Sequence, residues 1–88
     1  MQLDEADVKP VITRMKRAHG HLATVIRRLE EGAECEDALT QLAAVNKALS
    51  RAGFALVATG MQACLRESEG DVQAVDAARM EKLFLSFA

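Results

Sequence analysis

The sequence predicts an all-α protein of three helices, and three observations carry that reading. A single proline, Pro10, stands early in a chain of 88 residues. Long stretches avoid glycine and are rich in Ala, Leu, Glu, Arg and Gln, the residues that favour helix. Apolar residues recur every three or four positions rather than in alternation. The length suits one domain, residues 1–88. Half the residues are hydrophobic but only 3% are aromatic, so the core is expected to be Leu, Val, Ile, Met and Ala.

The first helix is predicted to begin between Asp7 and Pro10, because proline is tolerated in a first turn. It runs to Glu31, with Gly32 as the residue that ends it. Val8, Val11, Met15, Ala18, Leu22, Val25 and Leu29 follow a 3-4 alternation, a sustained heptad seam. His19 borders that seam and is expected to pack. The second helix runs from Cys35 or Glu36 to about Glu67. Glu36 and Asp37 suit the positive end of its dipole. Gly53 and Gly60 lie in its interior, where each costs about 1 kcal/mol against alanine, so close helix packing is expected there. The third starts near Asp71 and ends near Phe87, with Val72, Val75, Met80, Leu83, Phe84 and Phe87 on its apolar face.

The first helix would be about 45 Å long. Paired with the second it forms a hairpin that leaves much apolar surface open, and a short third helix cannot cover it. Association with further copies is therefore expected, rather than a monomeric three-helix bundle. No apolar run approaches about 18 residues, so no membrane helix is predicted. The first residues are acidic where a secretory signal would be basic, and the chain reads as cytoplasmic. Neither a base–nucleophile pair nor a phosphate loop appears, so no enzyme activity is expected.

Net charge is −2, which taken alone argues against a nucleic-acid partner. Its distribution argues otherwise. Residues 9–28 hold Lys9, Arg14, Lys16, Arg17, Arg27 and Arg28 with no acid, while residues 29–37 hold Glu30, Glu31, Glu34, Glu36 and Asp37 with no base. On a helical wheel Arg14, Arg17, His21, Thr24 and Arg28 form one stripe, flanked by Lys9, Lys16 and Arg27. In the hairpin Lys47 and Arg51 lie level with its middle. Such a patch, repeated in an oligomer, suits a long polyanion. No helix-turn-helix, zinc finger or basic-aromatic interleaving is present, so phosphate and shape would dominate recognition.

Cys35 and Cys64 are the two cysteines. Along one helix their 29-residue separation spans about 43 Å, whereas a disulfide needs Cα atoms about 4.4–6.8 Å apart. They meet if the second helix packs antiparallel on its symmetry mate, which sets Cys35 of one chain level with Cys64 of the other. The stripe carrying Cys64 also holds Leu39, Leu42, Asn46, Leu49, Gly53, Val57 and Gly60, which suits a close interface. The alternative is a pair of buried structural cysteines. A metal site lacks ligands, since the position one turn before Cys64 is Gly60 and the two histidines lie about 20 Å along the axis from the level of Cys35. No metal and no cofactor is expected.

The stretch Arg14-Met15-Lys16-Arg17-Ala18-His19-Gly20-His21-Leu22 resembles the first-helix signature of the copper-sensitive operon repressor family. So does Leu29-Glu30-Glu31-Gly32 leading into Cys35-Glu36-Asp37-Ala38-Leu39-Thr40-Gln41-Leu42, and the register continues through Ala44-Val45 to Arg51. The resemblance covers residues 8 to 66. It implies a dimer forming a four-helix bundle, a dimer-of-dimers tetramer, and an operator-DNA-binding repressor released by a ligand at an intersubunit cysteine site. Arg14 and Arg51 match the family's DNA-contact arginines, with Lys16, Arg17 and His21 in the same basic surface. Cys35 and Cys64 match its sensor cysteines. Copper-sensing members carry a histidine where this chain has Gly60. The match is then to the persulfide-sensing branch, whose two thiols react with reactive sulfur species to form di-, tri- or tetrasulfide bridges between protomers. The formaldehyde branch needs a proline after the initiator, and Gln2 stands there. A Cu(I) sensor using two thiolates alone and a helical adaptor without a DNA role are the competing readings.

Overall fold

A computed structural model of the chain describes residues 3–67 and 77–86. Three helices follow in order: α1 over Glu5–Glu30, α2 over Cys35–Glu67 and α3 over Ala77–Leu85. The all-α expectation holds, with two long helices and one short. The expected start of the third helix at Asp71, together with Val72, Val75 and Phe87, lies outside the described residues.

The first helix begins earlier than predicted. Asp4 is extended, and its carboxylate accepts a hydrogen bond from the Ala6 N–H at 3.0 Å. That is an N-cap, which satisfies one of the open N–H groups of the first turn. Pro10 consequently lies inside α1 rather than in its first turn. The cap, with Glu5 and Asp7 in the first turn, outweighs the proline's preference for the helix start.

The end of α1 matches the expectation. Gly32 adopts φ 92°, a left-handed conformation that favours glycine. Its N–H donates to the Leu29 carbonyl at 3.1 Å, and the Ala33 N–H donates to the Arg28 carbonyl at 2.9 Å. This pairing of open carbonyls is a Schellman end. The chain then reverses, and the Ala38 N–H donates to the Glu34 carbonyl at 3.0 Å as α2 begins.

The two long helices pack antiparallel. Val11, Ala18 and Val25, seven residues apart, are buried against α2, which buries Val45, Ala52, Gly53, Gly60 and Ala63. The seam therefore closes at alternate positions. Met15 (45% exposed) and Leu29 (52% exposed) look outward, because one partner helix covers only a narrow strip of a heptad face. His19 is exposed rather than packed. At the open end of the hairpin Arg66 and Asp7 form an ion pair. The α3 helix docks on α2 through buried Met80 and a stack of Phe84 on Phe54, with centroids 4.8 Å apart. The molecule measures 54 × 25 × 12 Å. Its radius of gyration is 16.8 Å, against about 13 Å for a compact 100-residue domain.

Candidate nucleic-acid interface

On one side of the hairpin, α1 and α2 diverge around an open concavity of about 390 Å³ lined by Arg14, Arg17, Ala18, His21, Ala48 and Arg51. The α1 residues stand at i, i+3, i+4 and i+7, one face of a helix. The α2 residues stand at i and i+3 and meet them across the groove. Small side chains make the room: Ala18 is buried and Ala48 half-buried, so the floor is low and the cationic side chains form the walls. Among the described residues no acidic side chain lines the concavity. Three guanidiniums around one groove repel each other, and an anion with several oxygens relieves that repulsion.

His21 is held in place. Its Nε2 lies 2.7 Å from Oε1 of Gln41, a half-buried residue on α2. The Nε2–H tautomer of His21 satisfies this bond, since an amide oxygen accepts. The helix-to-helix link fixes the ring at the mouth of the groove. Gln41 has no charge and no unusual spacing in the sequence. Only the hairpin register, which places it across from His21, could have singled it out.

Four of the five expected DNA-contact residues are thus brought together. The fifth, Lys16, is exposed on α1 but does not line the concavity, and neither does exposed Lys47 on α2.

The cysteines stand apart from this groove and from each other. Cys35 is exposed at the first residue of α2, and Cys64 is half-buried near its far end. Twenty-nine residues of unbroken helix keep them about 43 Å apart. Cys35 borders an apolar concavity of about 260 Å³ with Leu29, Ala33, Ala38, Leu39 and Leu42. A second, of about 460 Å³, continues along α2 past Asn46 to Leu49. The stripe that was expected to serve as an interface is therefore uneven. Its first half is open, with Leu39 61% exposed and Leu42 45% exposed. In its second half Gly53 and Gly60 are buried, and Val57 and Cys64 are half-buried.

Among the described residues no group of three or more His, Cys, Asp or Glu side chains is placed to hold a metal ion. Gly60, one turn before Cys64, offers no donor atom. No described helix is long and apolar enough to cross a membrane.

Fold and surface together define a helical protein with one cationic and one apolar face. Over residues 7–85 the chain matches the metal-sensitive transcriptional repressors, and it belongs to that family. It is 38% identical over 56 residues to the copper-sensing transcriptional repressor CsoR of Mycobacterium ulcerans (strain Agy99), which covers 64% of this chain and 48% of that protein. To the protein of the same name from Mycobacterium tuberculosis (strain ATCC 25618 / H37Rv) it is 32% identical over 59 residues, 67% of this chain and 50% of that one. The uncharacterized protein YrkD of Bacillus subtilis (strain 168) is 42% identical over 40 residues, 46% of this chain and 64% of that one. The chain spans about half the length of the copper-sensing relatives it matches. No solved structure matches it.

Proposed function

We propose that this chain is a cytoplasmic transcriptional repressor that binds operator DNA as a homo-oligomer, a dimer of dimers. The observation that carries this reading is the convergence of Arg14, Arg17, His21 and Arg51 from two helices on one groove without an acidic lining. Family membership supports it. Arginine forks match phosphate oxygens geometrically, and a groove repeated in an oligomer meets successive phosphates of a duplex. Arg14→Ala and Arg51→Ala should each weaken binding to promoter DNA and lower the slope of log affinity against log salt by about one. A helical adaptor without a DNA role predicts that neither variant changes anything.

The inducer we propose is a reactive sulfur species acting on Cys35 and Cys64 of the partner subunit. The Cys35 thiolate attacks the outer sulfur of a low-molecular-weight persulfide. A Cys35 persulfide forms and the thiolate of the donor leaves. The partner's Cys64 thiolate then attacks the Cys35 sulfur, so that a disulfide links the subunits and hydrosulfide leaves. If both cysteines are first persulfidated, the same displacement yields a trisulfide. Two observations support a thiol-only site: Cys35 is exposed, and Gly60 supplies no ligand beside Cys64. Intact-protein mass spectrometry with and without a sulfur donor, paired with DNA binding, tests this. Cross-linked dimers and loss of DNA should appear together, and Cys35→Ala should abolish both. DNA release that persists in Cys35→Ala overturns the mechanism. The second reading, Cu(I) as inducer, is favoured by the copper-sensing relatives. Tight stoichiometric Cu(I) binding under anaerobic conditions that releases DNA would establish it instead.

A further inference from the structure

Two lines of residues on the groove side of the hairpin carry the same charge pattern in opposite order. On α1, Arg17, Thr24 and Glu31 stand seven residues apart. On α2, Asp37, Ala44 and Arg51 do the same. Seven residues are two helical turns less about 20°, so each trio shares one face of its helix. Glu31 keeps helical dihedrals as the C-cap of α1, and Asp37 lies in the first turn of α2. Arg17 and Arg51 line the cationic concavity together. The trios extend that face toward the α1–α2 turn, where it ends in Glu31 and Asp37.

The four charged side chains are exposed, and none forms an ion pair with a described residue. On each helix the base and the acid are separated by fourteen residues, about 21 Å, too far to meet within the chain. The midpoints are small: Thr24 is half-buried and Ala44 exposed. A face that is positive at one end, negative at the other and low between them, with the same span on both helices, is complementary to itself under a two-fold rotation.

We propose that this face docks on the same face of a second copy, about a two-fold axis level with Thr24 and Ala44. The α1 helix then lies antiparallel on α1 of the second copy, and α2 on α2. Arg17 meets Glu31 of the second copy, Arg51 meets Asp37 of the second copy, and symmetry repeats both pairs. A guanidinium fork fits a carboxylate as it fits a phosphate. Leu42 and Asn46 stand about 160° from Ala44 around α2, so the contact is separate from the leucine stripe. Exposed ion pairs contribute little each, which makes the contact weak and salt-sensitive. A duplex, with its denser charge, displaces it. The contact keeps the arginine face covered until DNA binds; that consequence rests on the DNA reading, whereas the contact itself does not.

The experiment is sedimentation of the full chain at about 0.02 M and about 0.5 M salt, between which the screening length falls severalfold. At low salt the parent should have twice the mass it has at high salt. Asp37→Arg should lower the low-salt association constant about tenfold or more, because it sets like charges opposite each other. Asp37→Arg combined with Arg51→Asp exchanges the pair and should restore the association. A duplex of the promoter upstream of its own gene should split the low-salt species of the parent as it binds. Equal mass at both salt levels, an exchanged pair that does not restore association, or a duplex that binds without splitting the species overturns the inference. If any of these occurs while Arg51→Ala still weakens DNA binding, the DNA reading stands and this inference alone falls. If mass and charge exchange behave as expected while Arg51→Ala binds DNA like the parent, the contact stands and the DNA reading falls.

Discussion

At the scale of the residue, the informative side chain is an uncharged one. Gln41 adds no positive charge to the groove, yet it holds His21 through a 2.7 Å bond between half-buried partners. Two substitutions separate its roles. Gln41→Leu removes the acceptor and leaves Nε2 of His21 without its partner, which should cost about 1 kcal/mol of stability and weaken DNA binding severalfold. Gln41→Glu keeps an acceptor at the same reach but sets a carboxylate beside three arginines. Thermal melts should show it at least as stable as the parent, while DNA binding falls further than in the leucine variant. If Gln41→Glu binds DNA as tightly as the parent, the groove is not where phosphate sits. Arg66 marks the opposite case. Its hydrogen bond to Asp7 and that carboxylate's charge raise the pKa of the guanidinium above its ordinary value. A group whose folded pKa is raised contributes its stability below the unfolded pKa and loses it only above. For an arginine that loss lies beyond the neutral range, so this pair imposes no pH dependence there. Its side chain is 56% exposed, so water and salt screen the attraction.

At the scale of the element, the ends of α1 show which local signals are read most directly. The Schellman end at Gly32 was legible because a left-handed residue after a helical run has one cheap solution, glycine. The start is less legible, because Pro10 favours a first-turn position and nothing local in the sequence ranks the Asp4 cap above it. A proline six residues into a helix deprives the Ala6 carbonyl of its partner, but Asp4 secures the turn ahead of it. Asp4→Ala should therefore destabilise the chain by about 1 kcal/mol, read as a drop in melting temperature of roughly 4–8 °C. Faster amide exchange should be confined to residues 5–9. If exchange stays unchanged there, the cap does not secure the first turn, and the helix starts between Asp7 and Pro10 as the sequence alone suggests. The heptad seam was legible in its period but not in its depth. A 3-4 pattern states which residues share a face, and the number of partner helices decides how much of that face closes. Within one protomer the single partner α2 closes it at Val11, Ala18 and Val25. The groove was legible as charge, since residues 9–28 carry no acid. Its alanine floor and the Gln41 strut were not, because both depend on how α2 lies across α1.

At the scale of the whole molecule, the protomer is too thin to close a core. It is 12 Å across its shortest dimension, roughly the diameter of one helix with its side chains. Among the described residues, three of the seven buried apolar ones, Ala18, Ala52 and Ala63, contribute only a methyl each. Meanwhile Leu39, Leu42 and Leu49 stand exposed in a row on α2, with Cys35 at one end of the same surface. A chain with this balance gains more from burying its open leucines against another copy than from anything left within itself. In the oligomer proposed above, stability and association are one equilibrium, and the melting temperature should rise with protein concentration. Leu42→Asp places a charge in the middle of the open stripe, away from the arginine groove. Sedimentation equilibrium should show it monomeric where the parent is oligomeric, and its melting temperature should be lower and independent of concentration. Its reaction with a sulfur donor should still modify Cys35, because that thiol is exposed in the protomer, but should no longer yield a link between chains. A parent that stays monomeric at every concentration, with a constant melting temperature, would separate the cysteine chemistry from any partner subunit and leave the stripe without the role argued for it.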